Sequence, residues 1–181
     1  MAKELTPREI YRPIGMEAAR LNYLVRRGTI TPDAHQTEVA GSANKFSATE
    51  ACKAALINYT DHLGYDIQAG EALVRFTFDD AVLKNIVRGD ADHIAIMQGS
   101  NVLALLPNAE QLPPGGPEIG RTIYPADKFA ELRPLPSVTL FVLSDKISNL
   151  SSVTFINLTM LFRFFGEKIG FSLEDLMADR K

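Results

Sequence analysis

The chain has 181 residues, of which 46% are hydrophobic and 23% charged, a composition typical of a folded protein rather than a disordered one. No stretch approaches the roughly 18 uninterrupted apolar residues of a membrane span, and the N-terminus lacks a signal-peptide pattern. The single cysteine, Cys52, excludes an internal disulfide and a multi-cysteine zinc site. We therefore expect a cytoplasmic protein of one ordinary domain or two small ones, with no membrane contact.

Positive charge is concentrated at the start of a chain whose net charge is −3. Residues 1–31 contain one lysine and five arginines against three glutamates, so the rest of the chain is acidic. A basic module attached to an acidic body is compatible with phosphate binding, because the local field matters at a docking surface.

Two short helices joined by a turn are predicted at the N-terminus. The segment Thr6–Glu9 has the form of a capping box, with threonine as the N-cap and proline at the first helical position. This helix should end near Arg12-Pro13, because proline disfavours helix at the preceding residue. After a tight turn at Gly15, a second helix is predicted over Met16–Arg27, and Gly28 ends it. A helix-turn-helix requires this arrangement.

A third helix is predicted after a polar segment. Thr29–Pro32 should be extended, and Asp33–Lys45 contains several turn-forming residues. Ser47–Glu50 forms a second capping-box pattern, which opens a helix to about Leu63. His62, near the end of that helix, can interact with the terminal carbonyl groups.

Glycines near residues 64–70 divide the chain, so we predict domains at 1–66 and 67–181. The predicted elements of the second part are a strand at Val74–Phe78, a short helix at Asp79–Arg88, a hairpin of Ile94–Met97 with Val102–Leu106, a strand at Val138–Leu143 and a helix at about Ser151–Phe165. The last helix is apolar almost all round, which is typical of burial in the core or against a partner chain.

Four motifs in residues 5–63 share the spacing of a known family. They are the turn residue Gly15, the helix core Leu21-Asn22-Tyr23, the segment Gly28-Thr29-Ile30-Thr31-Pro32 and the helix opening Phe46-Ser47-Ala48-Thr49-Glu50. In these motifs the segment resembles the MerR-type winged helix-turn-helix, which implies binding to double-stranded DNA. The expected fold class is α+β, an N-terminal winged helix-turn-helix followed by a C-terminal mixed α+β domain for dimerisation, partner binding or effector binding.

The resemblance also implies which side chains contact DNA. These are Arg12, Glu17, Arg20, Asn22, Tyr23, Arg26, Arg27, His35, Gln36 and Lys45. A recognition helix reads base edges from its first turns, so Glu17, Arg20 and Asn22 would face the bases. The others suit phosphates or, in the wing, a flanking groove. The alternatives are a solvated face for the arginines, core packing for Tyr23 and a plain loop for the wing.

The resulting hypothesis is a sequence-specific transcriptional regulator that binds an operator as a homodimer. One alternative is a phage-type DNA-packaging or recombination accessory protein, and another is a protein-interaction module whose basic helix pairs with an acidic partner. The chain has no phosphate loop, dinucleotide fingerprint or nucleophile elbow. We therefore expect no catalytic residues, no metal site and no cofactor, and we expect Cys52 to be a core thiol rather than a redox sensor.

Overall fold

The structure is a computed structural model, and it describes residues 3–33, 44–88, 93–98, 101–106, 118–119, 122–123, 137–143 and 150–178. The helices are α1 (Pro7–Tyr11), α2 (Ala18–Arg26), α3 (Ala48–His62), α4 (Ile67–Thr77), α5 (Asp80–Arg88), α6 (Leu158–Ile169) and α7 (Asp175–Ala178). The strands are β1 (Ile94–Gln98), β2 (Asn101–Leu106), β3 (Glu118–Ile119), β4 (Thr122–Ile123), β5 (Ser137–Leu143) and β6 (Leu150–Asn157). Helices and antiparallel strands occupy separate stretches, which makes the chain an α+β protein, as predicted.

The chain forms two compact units that do not simply follow one another in sequence. The first combines Met1–Val74 with Phe162–Lys181, and the second consists of Arg75–Leu161. The C-terminal segment therefore belongs to the same compact unit as the N-terminal helices. The predicted domains, 1–66 and 67–181, stay a prediction.

The predicted N-terminal helices are present, and local interactions account for their ends. The Thr6 backbone N–H donates to Glu9 Oε2 at 2.8 Å, and Thr6 Oγ1 accepts from the Glu9 N–H at 3.4 Å. This confirms the capping box. α2 covers most of the predicted range Met16–Arg27, and Gly28 follows it with a φ of 74°. That left-handed conformation is one that glycine adopts at little cost.

α3 begins at its predicted cap and is buried on most sides. Ser47 Oγ accepts from the Glu50 N–H at 3.2 Å, but the Glu50 carboxylate reaches the backbone N–H of Thr31, at 2.7 Å, rather than that of Ser47. Small side chains, such as Ala51, Ala54 and Ala55, let the helix run through the core of the first unit.

The predicted strand at Val74–Phe78 is wrong, because these residues belong to α4 and the turn after it. Leu73, Val74 and Thr77 are buried, while Phe76 is 53% exposed. A strand would place Phe76 on the same face as Val74. The burial of these residues therefore follows the 3.6-residue period of a helix, and the short alternation of apolar and polar residues only resembles a strand.

The second unit contains a four-stranded antiparallel sheet in the order β2-β1-β6-β5. β1 and β2 form the predicted hairpin, with Ile94 opposite Leu106. The predicted strand at Val138–Leu143 is β5, which pairs with β6. α5 confirms the short helix predicted at Asp79–Arg88.

The predicted helix at Ser151–Phe165 is wrong in its first half, which forms β6. Strand pairing places Ile156 opposite Ala95 of β1 and Ser137 of β5, so β6 is an inner strand. The end of β6 is buried on both faces, since Phe155, Ile156 and Asn157 are all buried. Periodicity alone does not separate such a short buried strand from a buried helix. Asn157 then caps α6, since its Oδ1 accepts from the Met160 N–H at 3.0 Å.

The buried residues of α6 include Leu161, Phe162 and Phe165, whereas Phe164 is 47% exposed. Most of this helix is therefore core, and Phe164 is its exposed aromatic residue. Among the residues that the structure describes, no helix combines the length and the apolar character needed to cross a membrane.

Candidate nucleic-acid interface

α2 has one buried side and one exposed side. Leu21 and Leu24 are buried. The exposed residues on or next to the helix include Glu17, Ala18, Ala19, Asn22, Tyr23 and Arg26. These positions recur at intervals of three and four residues, so the side chains lie along one side of the helix. We call these six residues the outer face of α2. Tyr23 is 47% exposed, which argues against the alternative that it packs in the core.

The turn before α2 is held by the backbone and by α3. The Gly15 N–H donates to Arg12 O at 3.2 Å, and the Met16 N–H donates to Tyr11 O at 2.9 Å. Asn58 Nδ2 of α3 donates to Ile14 O at 3.0 Å. These bonds set the position at which α2 begins.

The segment after α2 is anchored in the same unit. The Thr29 N–H donates to Leu24 O at 3.0 Å, and Ile30 is fully buried. The bond from the Thr31 N–H to the Glu50 carboxylate then ties this segment to α3. Both ends of α2 are therefore fixed, while its outer face remains accessible.

Arg20 does not belong to the outer face, although the sequence predicts that it reads bases. Its Nη2 lies 3.0 Å from Asp61 Oδ1 of α3, and its side chain is 29% exposed. This ion pair lacks hydrogen-bond geometry, because Nε and Nη2 of Arg20 are buried with no hydrogen-bond partner among the described residues. In this structure Arg20 is directed toward α3.

Arg27 is also engaged within the protein. Its Nε and Nη2 donate to the two carboxylate oxygens of Glu71 in α4 at 2.7 and 3.1 Å, and Thr29 Oγ1 donates to the same carboxylate at 2.7 Å. Hydrogen bonding to Glu71 raises the pKa of the Arg27 guanidinium above its usual value. A bidentate pair of this kind fixes the guanidinium in one orientation.

The predicted wing is described only at its two ends. The Asp33 N–H donates to Lys45 O at 2.8 Å, and Leu5 pairs with Phe46 in an antiparallel bridge. Lys45 Nζ lies 2.7 Å from Glu4 Oε2. His35 and Gln36 lie outside the described residues, so their predicted contacts stay a prediction.

Three arginines of the N-terminal helices are exposed and form no ion pair with any residue that the structure describes. They are Arg8, Arg12 and Arg26. Arg12 and Arg26 belong to the predicted set, whereas Arg8 was missed. Its position in the first turn of a predicted helix within the basic segment was the available signal.

The carboxylates that pair with the other cations were not predicted. Glu71 is 44 residues from Arg27 in sequence, and no local pattern relates residues so far apart. Cys52 is fully buried, and burial raises the pKa of its thiol well above the usual value. A buried protonated thiol is unreactive, so Cys52 is a core residue as expected. The described residues contain no cluster of metal-ligating side chains.

No protein-family model matches the chain, and no curated protein is similar to it.

Proposed function

We propose that this protein is a sequence-specific DNA-binding transcriptional regulator whose N-terminal helices form a winged helix-turn-helix of the MerR type. The observation that supports the proposal is the outer face of α2, which combines small, hydrogen-bonding and cationic side chains on one accessible side of a helix with both ends anchored. A helix with such a face fits the major groove of B-DNA.

The side chains of this face suggest a division of tasks. Ala18 and Ala19 allow close approach to the groove floor, and alanine can contact the methyl group of thymine. Asn22 can form a bidentate contact with adenine, and Glu17 can accept a hydrogen bond from cytosine. Tyr23, Arg26 and Arg12 suit phosphates, which set the register on DNA without reading its sequence.

Arg20, Arg27 and Lys45 have a different part in this proposal. Each is paired with a carboxylate of the same chain, so each would have to leave that partner to bind a phosphate. We assign Arg27 a positioning role at the end of α2, because Glu71 holds it in a bidentate pair.

One helix-turn-helix makes few contacts, so useful specificity requires a homodimer on paired half-sites. We propose that residues of the second unit, or a partner protein or effector bound there, support this assembly. Such a regulator would act where the DNA is, in the cytoplasm.

The first test is selection of bound fragments from a random duplex library with the full chain. The selected site is then titrated at two salt concentrations with the wild type, Arg26→Ala and Arg88→Ala. Arg26 and Arg88 are a matched pair, since each is exposed and is the last residue of a nine-residue helix. We expect Arg26→Ala to weaken binding to all sequences and to reduce the salt slope by about one, whereas Arg88→Ala should leave binding unchanged.

Asn22→Ala tests base reading separately. It should relax the preference at a single base pair by about 1–3 kcal/mol. Binding without any sequence preference, together with higher oligomers, would favour the packaging or recombination role. Absence of binding at low salt would overturn the DNA-binding proposal and direct attention to an acidic protein partner.

A further inference from the structure

A groove lies beside the turn that precedes α2. Its volume is about 260 Å³, and its walls come from the α1–α2 turn, from α3 and from α6. Pro13 and Ile14 line the groove from the turn, and Phe164 and Phe165 line it from α6. All of these residues belong to the first compact unit.

One side of the groove is aromatic. The rings of Tyr59 and Phe165 pack edge to face with centroids 6.3 Å apart, and those of Phe164 and Phe165 are 6.1 Å apart. Phe164 remains 47% exposed at the edge of the groove. Aromatic side chains in this arrangement form a surface that suits another ring.

The groove also contains a hydrogen-bond acceptor to which no described residue donates. Asn58 lines the groove and is only 6% exposed. Its Nδ2 donates to Ile14 O at 3.0 Å, but no residue that the structure describes donates to its Oδ1. This oxygen is not shut off from solvent, so it can accept a hydrogen bond from a ligand in the groove that brings a donor.

His62 also lines the groove. Its Nδ1 lies 2.7 Å from Asn58 O, one turn earlier in α3. A carbonyl oxygen can only accept, so Nδ1 carries the hydrogen. His62 is exposed, and none of the described residues binds its Nε2.

Charge narrows the class of ligand further. Lys168 Nζ lies 5.6 Å from the centroid of the Phe164 ring, so a cation already occupies that aromatic surface and disfavours a second one. The free Asn58 Oδ1 disfavours a carboxylate, because it would place lone pairs against lone pairs. A neutral ligand with an N–H or O–H group satisfies both conditions.

We propose that this groove binds a small neutral aromatic molecule that carries one hydrogen-bond donor. The volume is slightly below the range of about 300–1,000 Å³ found for drug-sized ligands, which suits one ring or two fused rings. This site goes beyond the proposed function and does not depend on DNA binding. Its occupant would contact Ile14, and so the segment that sets the start of α2.

The test uses the full chain with indole as the probe and benzofuran as its matched control. The two molecules have nearly the same shape, but an oxygen replaces the N–H donor in benzofuran. In a two-dimensional NMR titration we expect indole to cause saturable shifts at the amides of Ile14, Ala55 and Tyr59. Indole should bind about tenfold more tightly than benzofuran, since only indole can donate to Asn58 Oδ1.

Two variants locate the site. Phe164→Ala should weaken indole binding by about threefold or more, because it removes an aromatic wall. Phe76→Ala is the control, since Phe76 is 53% exposed and does not line the groove. Both side chains are substantially exposed, so neither change should disturb the core. Equal affinity for indole and benzofuran, shifts that do not saturate, or an equal effect of the two variants would overturn the proposal.

Discussion

Ion pairing determines which basic side chains near α2 can reach a phosphate without rearrangement. Arg12 and Arg26 are exposed and have no carboxylate partner among the described residues, whereas Arg20 and Arg27 are paired with Asp61 and Glu71. The side chains of both pairs are partly exposed, and ion pairs near the surface contribute only about 0–1 kcal/mol, so a phosphate can compete with such a carboxylate. The Arg27 pair is bidentate and shares its carboxylate with Thr29, so it should be the more persistent.

The first prediction concerns the Arg20–Asp61 pair. Asp61→Asn removes a negative charge beside α2 and releases the Arg20 guanidinium, so DNA affinity at low salt should rise roughly twofold to fivefold. Glu174→Gln is the control, because it removes one exposed negative charge from the same compact unit. Measurement is by fluorescence anisotropy with the selected duplex. Unchanged or weaker binding would show that Asp61 supports the position of Arg20 instead of keeping Arg20 away from DNA.

The second prediction concerns the pH dependence of the α1 cap. The pKa of Glu9 is lowered, chiefly by the hydrogen bond from the Thr6 backbone and then by that from its side chain. Because the carboxylate is favoured in the folded state, its contribution to stability is present above the unfolded pKa and is lost as pH falls through the folded pKa. The wild type should therefore exceed Glu9→Gln in the free energy of unfolding at neutral pH. That difference should disappear in acid, and a difference independent of pH would contradict the assignment.

At the scale of elements, the ends of helices depend on a few local groups. The close approach of two backbone segments depends on the absence of a side chain between them. Gly166 lies within α6, and a Cβ at this position would lie 2.6 Å from the Phe171 carbonyl oxygen. The backbone leaves α6 at Gly170 and returns past this point, with the Phe171 N–H donating to Gly166 O at 3.0 Å. The return of the chain therefore requires glycine at position 166.

The third prediction follows from this contact. Gly166→Ala should destabilise the protein by about 1–3 kcal/mol, because the clash involves backbone rather than the end of a flexible side chain. In an open helix the same change would stabilise by roughly 0.5–1 kcal/mol. Urea denaturation compares it with Glu167→Ala, an exposed neighbour in α6. A Gly166→Ala variant as stable as the wild type would mean that the turn after α6 can move away.

At the scale of the whole molecule, the first compact unit is assembled from both ends of the chain. Thr49 Oγ1 of α3 donates to Leu176 O at 3.0 Å across 127 residues, and the Leu176 side chain is fully buried. α3 also carries Asn58, which bonds the turn before α2. The C-terminal segment thus supports the helix on which the candidate interface rests.

The fourth prediction tests this support. Leu176→Ala should reduce the free energy of unfolding by about 2–5 kcal/mol, as is usual for truncation of a buried leucine. Met177→Ala, at a half-buried neighbouring position, should have a smaller effect. Circular dichroism during urea titration measures both. A negligible effect of Leu176→Ala would indicate that α7 is not an integral part of the first unit.

The sequence alone determined the features that depend on neighbours three or four residues apart. The Thr6 and Ser47 caps, the glycine that ends α2 and the hairpin of β1 and β2 all follow from short-range patterns. It also indicated α2 as the helix with the candidate interface. A local pattern of this kind wrongly predicted a strand at Val74–Phe78, because five residues are too few to separate the helical period from alternation.

Only the tertiary structure decided the features that join distant residues. Whether residues 151–157 form strand or helix depended on the neighbours β1 and β5, since so short a segment has no periodicity that separates the two states. The tertiary structure also pairs Arg27, which the sequence predicts to contact phosphate, with Glu71, 44 residues away. The return of Phe162–Lys181 to the N-terminal helices likewise has no local sequence signal. Long-range packing selects these contacts, because each depends on which surfaces the whole chain brings together.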